Sequence, residues 1–113
     1  MPKALRKDII VILEAGILNV RPAQQADFEE ALERAKPLIS ATPGFLSFEL
    51  HRCVENSHRY LLLVQWESVE AHTVGFRQSD RYQRWRALLH HFYDPFPTIE
   101  HFRDPICFGL HAR

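Results

Sequence analysis

The sequence predicts an α+β protein of the ferredoxin-like type, with the element order β-α-β-β-α-β. Short apolar runs typical of strands are interleaved with longer segments whose apolar residues recur at helical spacing. Two of the strands are separated only by the polar turn 55–58, as in an antiparallel hairpin. Right-handed crossovers then give a four-stranded antiparallel sheet with both helices on one face.

The first strand is predicted over residues 9–18, because β-branched and aliphatic side chains dominate this segment. One face of the strand is wholly apolar, and the other is interrupted only by Glu14 and Gly16. Residues 24–40 follow as a helix with one apolar stripe, and charged residues cover the remaining surface. Pro37 lacks a backbone donor and is expected to bend the last turn of this helix.

The second and third strands form the predicted hairpin. Residues 45–53 alternate, with Leu46, Phe48 and Leu50 on one face and Phe45 on the other. The run 60–66 is short, rich in aliphatic residues and free of Gly and Pro, which is typical of a strand buried on both faces.

A helix is predicted to begin directly after the third strand. Ser68 can accept hydrogen bonds from its first backbone amides, and the helix is expected to break near Gln78. Ser79 or Asp80 then caps a second helical segment that continues to Phe92.

Residues 98–103 form the predicted last strand. A length of 113 residues indicates one domain, with an expected core of about 8–103 and a C-terminal arm over 104–113. The formal net charge is zero, and no apolar run reaches the roughly 18 residues of a membrane span. Neither nucleic acid nor a membrane is therefore an expected partner.

Cys53 and Cys107 form no CxxC motif, and without a signal-peptide pattern they are expected to be free thiols in a cytoplasmic protein.

The predicted sheet has one face without a cover. Two helices can shield only one face, although the first and third strands are apolar on both faces. A bare apolar face of that size is a contact surface. We therefore expect a homodimer in which two sheets pack face to face, and the alternative is a monomer whose tail folds across the open face.

Three segments carry a family resemblance. Residues 43–50 (PGFLSFEL), 59–67 (RYLLLVQWE) and 70–79, with His72 six positions after Trp66, resemble the antibiotic biosynthesis monooxygenase (ABM) domain family. The resemblance covers about residues 8–103 and implies a dimeric α+β barrel. It implies less about the reaction, since the family includes cofactor-free monooxygenases that oxidise polycyclic phenols to quinones, haem-degrading enzymes, an isomerase of a signalling sugar and proteins without a known activity.

The corner between the third strand and the next helix is the candidate site. A cofactor-free oxygenase needs an apolar pocket, a base for a phenolic proton and a donor or cation for the developing oxyanion. Trp66 can supply a wall, His72 a base or donor, and Arg86 or Arg77 a cation, so His72, Trp66 and Arg86 are the predicted catalytic residues. The predicted substrate-binding residues are Tyr60, Leu62, Phe76, Arg77, Tyr82 and Trp85.

The resemblance matches Trp66 and Arg86 to pocket positions of quinone-forming members. Such members can carry Tyr at the position of His72 and Asn at that of Leu62, and a leucine cannot donate a hydrogen bond. From the candidate residues and the resemblance together, the predicted function is cofactor-independent oxygenation of a small phenolic or quinol-like molecule. The alternative is a non-catalytic, small-molecule-binding or structural homodimer of the same fold.

Each candidate also has a purely structural interpretation, in which the aromatic residues form core, His72 braces the strand end and the arginines pair with acidic groups. Haem degradation is disfavoured, because the axial histidine of members that perform it falls near Arg86 by the resemblance. His90 and His91 point about 100° apart on a helix, so they do not converge on an ion. No cofactor and no metal are predicted.

Overall fold

The computed structural model of the chain describes residues 11–107, 109, 110 and 112. The first half contains strand β1 (Ile12–Asn19), helix α1 (Gln25–Ser40) and strands β2 (Phe45–Arg52) and β3 (Arg59–Trp66). The predicted α+β order is confirmed, although residues 9 and 10 of the predicted first strand lie outside the described residues.

The second half begins with a π-helical turn (Ala71–Phe76), where an α-helix from Ser68 to about Gln78 was predicted. Helix α2 (Asp80–Leu89) and a 3-10 turn (His90–Phe92) follow, and strand β4 (Ile99–Phe102) ends the domain core. In the described part of the chain, no helix is both long and apolar enough to cross a membrane.

The four strands form one antiparallel sheet in the order β2-β3-β1-β4. The pairing of Leu18 with Tyr60 and of Gly16 with Leu62 places the even-numbered residues of β1 and β3 on the same face. Both helices cover that face, which we call the closed face. Its core joins helix residues such as Phe28 to buried strand residues such as Val64.

The opposite face of the sheet, which we call the open face, carries exposed apolar side chains, and no helix among the described residues covers it. Ile17 lies opposite Leu61, and their exposed fractions are 45% and 36%. Phe102 on β4 is 49% exposed on the same face and pairs with Leu13. Ala15 on β1 and Leu63 on β3 extend this apolar surface along the two inner strands.

A register shift in β2 overturns part of the predicted alternation. The shift lies between Phe45 and Ser47, so Phe45 pairs with Trp66 and Ser47 with the preceding Gln65. The ring of Phe45 packs edge-on against Trp66 at 5.8 Å, whereas Leu46 is 44% exposed. Simple alternation predicted Leu46 on the same face as Phe48 and Leu50, and Phe45 on the other face, because this pattern does not anticipate an extra residue.

Caps define the helical segments after β3. The hydroxyl of Ser68 accepts from the backbone N–H of Ala71 at 3.0 Å, and that of Ser79 accepts from Tyr82 at 3.3 Å. Inside the π-helical turn, Arg77 N–H donates to the carbonyl of His72, five residues earlier. The predicted caps are therefore confirmed, and the wide turn fixes the direction in which His72 leaves the backbone.

Candidate functional site

A cavity of about 420 Å³ lies on the closed face of the sheet, between β1, the π-helical turn, α2 and the segment that leads to β4. This volume is within the usual range of small-molecule pockets. The wall combines apolar and aromatic side chains with a few polar groups, and consists of Glu14, Leu18, Ile39, Leu62, His72, Phe76, Arg77, Tyr82, Trp85, His90, Tyr93, Phe96, Pro97 and Ile99.

Trp66 and His72 form one end of this site. Trp66 is the last residue of β3 and His72 is the second residue of the π-helical turn, so the strand-to-helix corner brings them together. Their rings stack with centroids 5.2 Å apart and an interplanar angle of 17°. Both side chains are buried, and only His72 reaches the cavity wall.

Glu14 on β1 lies against this pair. Its carboxyl Oε1 accepts a hydrogen bond from the indole Nε1–H of Trp66 at 2.9 Å, and Nε2 of His72 lies 3.5 Å from the same oxygen. The residue is only 4% exposed. A carboxyl group buried on a sheet face is unusual unless it is hydrogen-bonded, and here the indole supplies the bond.

His101 on β4 completes the polar group. Residue 101 pairs with Glu14 in the sheet, so both side chains project from the closed face. Nε2 of His101 lies 2.8 Å from Nδ1 of His72. A continuous series of close contacts thus runs from the carboxyl of Glu14 through the imidazole of His72 to a partly exposed histidine at the sheet edge.

Burial is the main cause of the pKa shifts of Glu14, His72 and His101. Desolvation raises the pKa of Glu14, although the hydrogen bond from Trp66 and the charge of Arg77 oppose the rise. Burial, and then the charges of Arg77 and His101, lower the pKa of His72 to about 3. The same causes, burial and then Arg77, lower the pKa of His101. His72 is therefore a neutral imidazole at physiological pH, with one nitrogen that donates and one that accepts.

The other end of the cavity is aromatic. His90 lies among the rings of Tyr82, Tyr93 and Phe96, at centroid distances of 5.8, 5.8 and 5.0 Å. Burial, and then the charge of Arg86, lower the pKa of His90 to about 4. Burial also raises the pKa of Tyr93. This end of the cavity consequently presents uncharged rings, which suit a flat aromatic ligand.

Most of the predicted site residues lie together. His72 lines the cavity with Trp66 stacked behind it, and the predicted residues Leu62, Phe76, Arg77, Tyr82 and Trp85 also belong to the wall. Arg86 does not: it is exposed on α2 and is absent from the wall. Arg77, the other arginine considered from the sequence, is the cation at the cavity.

Tyr60 was predicted to bind substrate, but it points elsewhere. Its hydroxyl donates to Glu29 on α1 at 2.7 Å, and Arg52 on β2 holds the same carboxylate through two hydrogen bonds. Burial, and then this hydrogen bond, raise the pKa of Tyr60 to about 12. The side chain lines a separate groove between α1 and β2 and does not belong to the cavity wall.

Five polar or aromatic members of the site were not predicted from the sequence: Glu14, His101, His90, Tyr93 and Phe96. Glu14 gave a signal, since it is the one charged residue in a strand that is otherwise apolar from residue 9 to 18. Nothing in the sequence indicated that His101 would meet His72, because that contact depends on the register between β1 and β4.

A metal ion has no evident set of ligands here. Among the described residues, no three His, Cys, Asp or Glu side chains converge in a way that could hold an ion. Within the polar group, His72 directs its two nitrogens to different neighbours rather than to a shared point.

Comparison with known sequences identifies the family. The sequence profile of the antibiotic biosynthesis monooxygenase family matches residues 11–88. The chain is 49% identical to the uncharacterised protein YczJ of Bacillus subtilis over 94 residues, which cover 83% of this chain and 99% of that protein.

Solved structures agree with this match. A protein from Bordetella bronchiseptica, provisionally assigned as an antibiotic biosynthesis monooxygenase, is 36% identical with a TM-score of 0.81, and the match covers 86% of this chain and 99% of that one. The monooxygenase from the gene ActVA-Orf6 of Streptomyces coelicolor, solved with the ligand nanaomycin D, has a TM-score of 0.73 over 93% of this chain and 96% of its own. At 22% identity, the second similarity concerns the fold alone.

Proposed function

The chain belongs to the antibiotic biosynthesis monooxygenase family, and from this premise we propose that it binds a small phenolic or quinol-like molecule in the cavity and oxidises it with O₂ without a cofactor. The observation that carries the proposal is the juxtaposition of the Glu14–His72 pair and Arg77 on the wall of an otherwise largely aromatic and aliphatic cavity.

These groups match the needs of the reaction. The carboxyl–imidazole pair can take the phenolic proton, and the guanidinium of Arg77 can stabilise the phenolate oxygen. An electron-rich phenolate transfers an electron to O₂, and recombination of the two radicals forms a carbon–oxygen bond. Loss of water from the resulting hydroperoxide leaves a quinone, so one phenol and one O₂ give one quinone and one water.

We assign to Arg77 the stabilisation of the oxyanion, which the resemblance gives to an Asn at the position of Leu62 in quinone-forming members. Leu62 lines the cavity but has no hydrogen-bond donor, so an oxyanion there needs another partner. Arg77 lies close enough to influence Glu14, His72 and His101 through its charge. A phenolate placed between His72 and Arg77 would be stabilised by the same field.

The test is oxygen consumption by chelator-treated protein with a panel of anthrones, catechols and hydroquinones. We expect uptake of one O₂ per quinone formed, and a loss of uptake in His72→Ala with the fold retained by circular dichroism. Arg77→Ala is expected to lower kcat/KM by about 10- to 1000-fold, as removal of an oxyanion partner does elsewhere.

Controls separate catalysis from general damage. Arg84 is an exposed arginine on α2 outside the cavity wall, so Arg84→Ala should retain full uptake. Saturable ligand quenching of tryptophan fluorescence without O₂ uptake for any substrate would replace the enzymatic proposal by the non-catalytic binding function. Undiminished uptake in His72→Ala would move the chemistry away from this corner.

A further inference from the structure

Three titratable groups in close succession lead from the cavity wall to the sheet edge. Glu14 and His72 line the cavity, and His101 lies beyond them on the edge strand β4. We propose that Glu14, His72 and His101 form a proton relay that exchanges protons between a ligand in the cavity and solvent. The identity of that ligand rests on the proposed function, whereas the relay itself rests on the geometry of the three side chains.

The relay depends on the use of opposite nitrogens by His72. Nε2 faces Oε1 of Glu14 at 3.5 Å, and Nδ1 faces Nε2 of His101 at 2.8 Å. A neutral imidazole carries one donor and one acceptor, so it can accept a proton on one nitrogen while it releases one from the other. The Glu14 contact is about 0.6 Å longer than a typical hydrogen bond, so proton transfer across it requires the two side chains to approach each other.

The carboxyl of Glu14 provides the inner terminus. Trp66 and His72 both approach Oε1, and within the described residues no side chain donates a hydrogen bond to Oε2. Because Glu14 lines the cavity, Oε2 is the oxygen available to a ligand. Burial favours the protonated form of this carboxyl, since it raises the pKa of Glu14.

The outward transfer conserves every proton. The ligand hydroxyl gives its proton to Oε2 of Glu14, and Oε1–H passes its proton to Nε2 of His72. In the same concerted shift, Nδ1–H of His72 protonates Nε2 of His101, and Nδ1–H of His101 releases one proton to solvent. The reverse sequence delivers a proton to the peroxide oxygen of the oxygenated intermediate and restores the starting tautomers.

No buried imidazolium forms in this sequence, which agrees with the environment of His72. Burial and the charge of Arg77 hold the pKa of His72 at about 3, so a cationic intermediate would be unfavourable. The groups that face the relay from the neighbouring elements are Arg77, after the π-helical turn, and Tyr93, after the 3-10 turn. Arg77 disfavours positive charge on both histidines, and this favours a relay of neutral tautomers.

The first test needs no substrate. In ¹⁵N-labelled protein, the histidine ¹⁵N shifts report which nitrogen is protonated, and the Trp66 indole N–H reports the ionisation of Glu14. As pH rises through that transition, we expect neutral His72 to change from the Nδ1–H to the Nε2–H tautomer. In Glu14→Gln the tautomer should stay constant. A constant tautomer in the natural protein, or formation of imidazolium in the same range, would overturn the relay.

The second test uses turnover. His101→Ala is expected to lower kcat for O₂ uptake about 10- to 100-fold with KM unchanged, and imidazole added to the buffer should restore it, because general acid–base steps contribute at least this much. His91→Ala, which removes an exposed histidine outside the cavity, is the control. Unchanged kcat in His101→Ala would contradict the relay. An absence of uptake by the natural protein would contradict the proposed function and leave the tautomer test intact.

Discussion

The indole Nε1–H of Trp66 donates to the carboxyl of Glu14 over 2.9 Å, inside the protein and next to the imidazole of His72. The bond ties the end of β3 to the middle of β1 on the closed face of the sheet. It leaves a carboxyl group at the cavity in an environment that favours its neutral form. Stability should therefore depend on pH through two groups in contact, with opposite signs.

For Glu14, we expect stability to be lost as pH rises. Its folded-state pKa lies above the ordinary value of 4.5, so the folded state binds the proton more tightly. The stabilisation is complete below pH 4.5 and disappears as pH rises through the folded-state pKa. Glu14→Gln lacks this titration, so its free energy of unfolding relative to the natural protein should increase over that interval. Urea unfolding at several pH values measures the difference, and a constant difference would contradict the raised pKa.

For His72, we expect the reverse dependence. Its pKa falls from 6.5 to about 3 on folding, so its contribution is complete above pH 6.5 and is lost as pH falls towards 3. A fully titrating group changes the free energy of unfolding by up to about 1.4 kcal/mol per pH unit. His72→Phe keeps the ring stacked on Trp66 and should flatten the acid limb of the stability curve. The exposed His91→Phe should leave that limb unchanged, and equal effects of the two substitutions would refute the assignment.

A glycine controls how closely the hairpin approaches the turn that carries His72. Gly44 has φ of +90°, and a Cβ there would lie 2.7 Å from Cβ of Ala71. Gly44→Ala therefore adds backbone strain to a clash and should destabilise the fold by about 1–3 kcal/mol. Gly75→Ala is the matched control, because its nearest contact would be an ordinary 3.5 Å.

A second substitution separates the two causes. Ala71→Gly in the Gly44→Ala background removes the clash but not the strain, so thermal unfolding should show partial recovery. Full recovery would mean that the positive φ at Gly44 contributes nothing, and no recovery would mean that the contact with Ala71 is unimportant.

The fold could be predicted from the sequence because the patterns that indicate it involve residues close together along the chain. Strand periodicity, the polar turn 55–58 and the caps Ser68 and Ser79 each depend on neighbours along the chain. The same locality explains the error at Phe45, where one extra residue shifts the register and inverts the expected faces.

The candidate site was predictable only in part for the same reason. Trp66 and His72 lie six residues apart, so a strand-to-helix corner was enough to bring them together. Glu14 and His101 reach them only through pairing of β1 with β3 and β4, which sequence spacing does not encode. The arginine at the cavity depends on helix orientation, and the structure places Arg77 there rather than Arg86.

The open face of the sheet leads to the last prediction, a homodimer that this face mediates. Ile17, Leu61 and Phe102 are exposed on a face that no described helix covers, and Leu13, Ala15 and Leu63 lie on the same face between them. An apolar surface of this kind favours association. Light scattering at micromolar concentration should give twice the 13.3 kDa of one chain.

Ile17→Arg places a charge at the centre of the contact and should give monomers, because an unpaired charge is costly to bury. Val54→Arg is the control, since Val54 is 93% exposed in the β2–β3 turn. A natural protein of 13.3 kDa in solution would refute the dimer, and an intact Ile17→Arg dimer would place the interface on another surface.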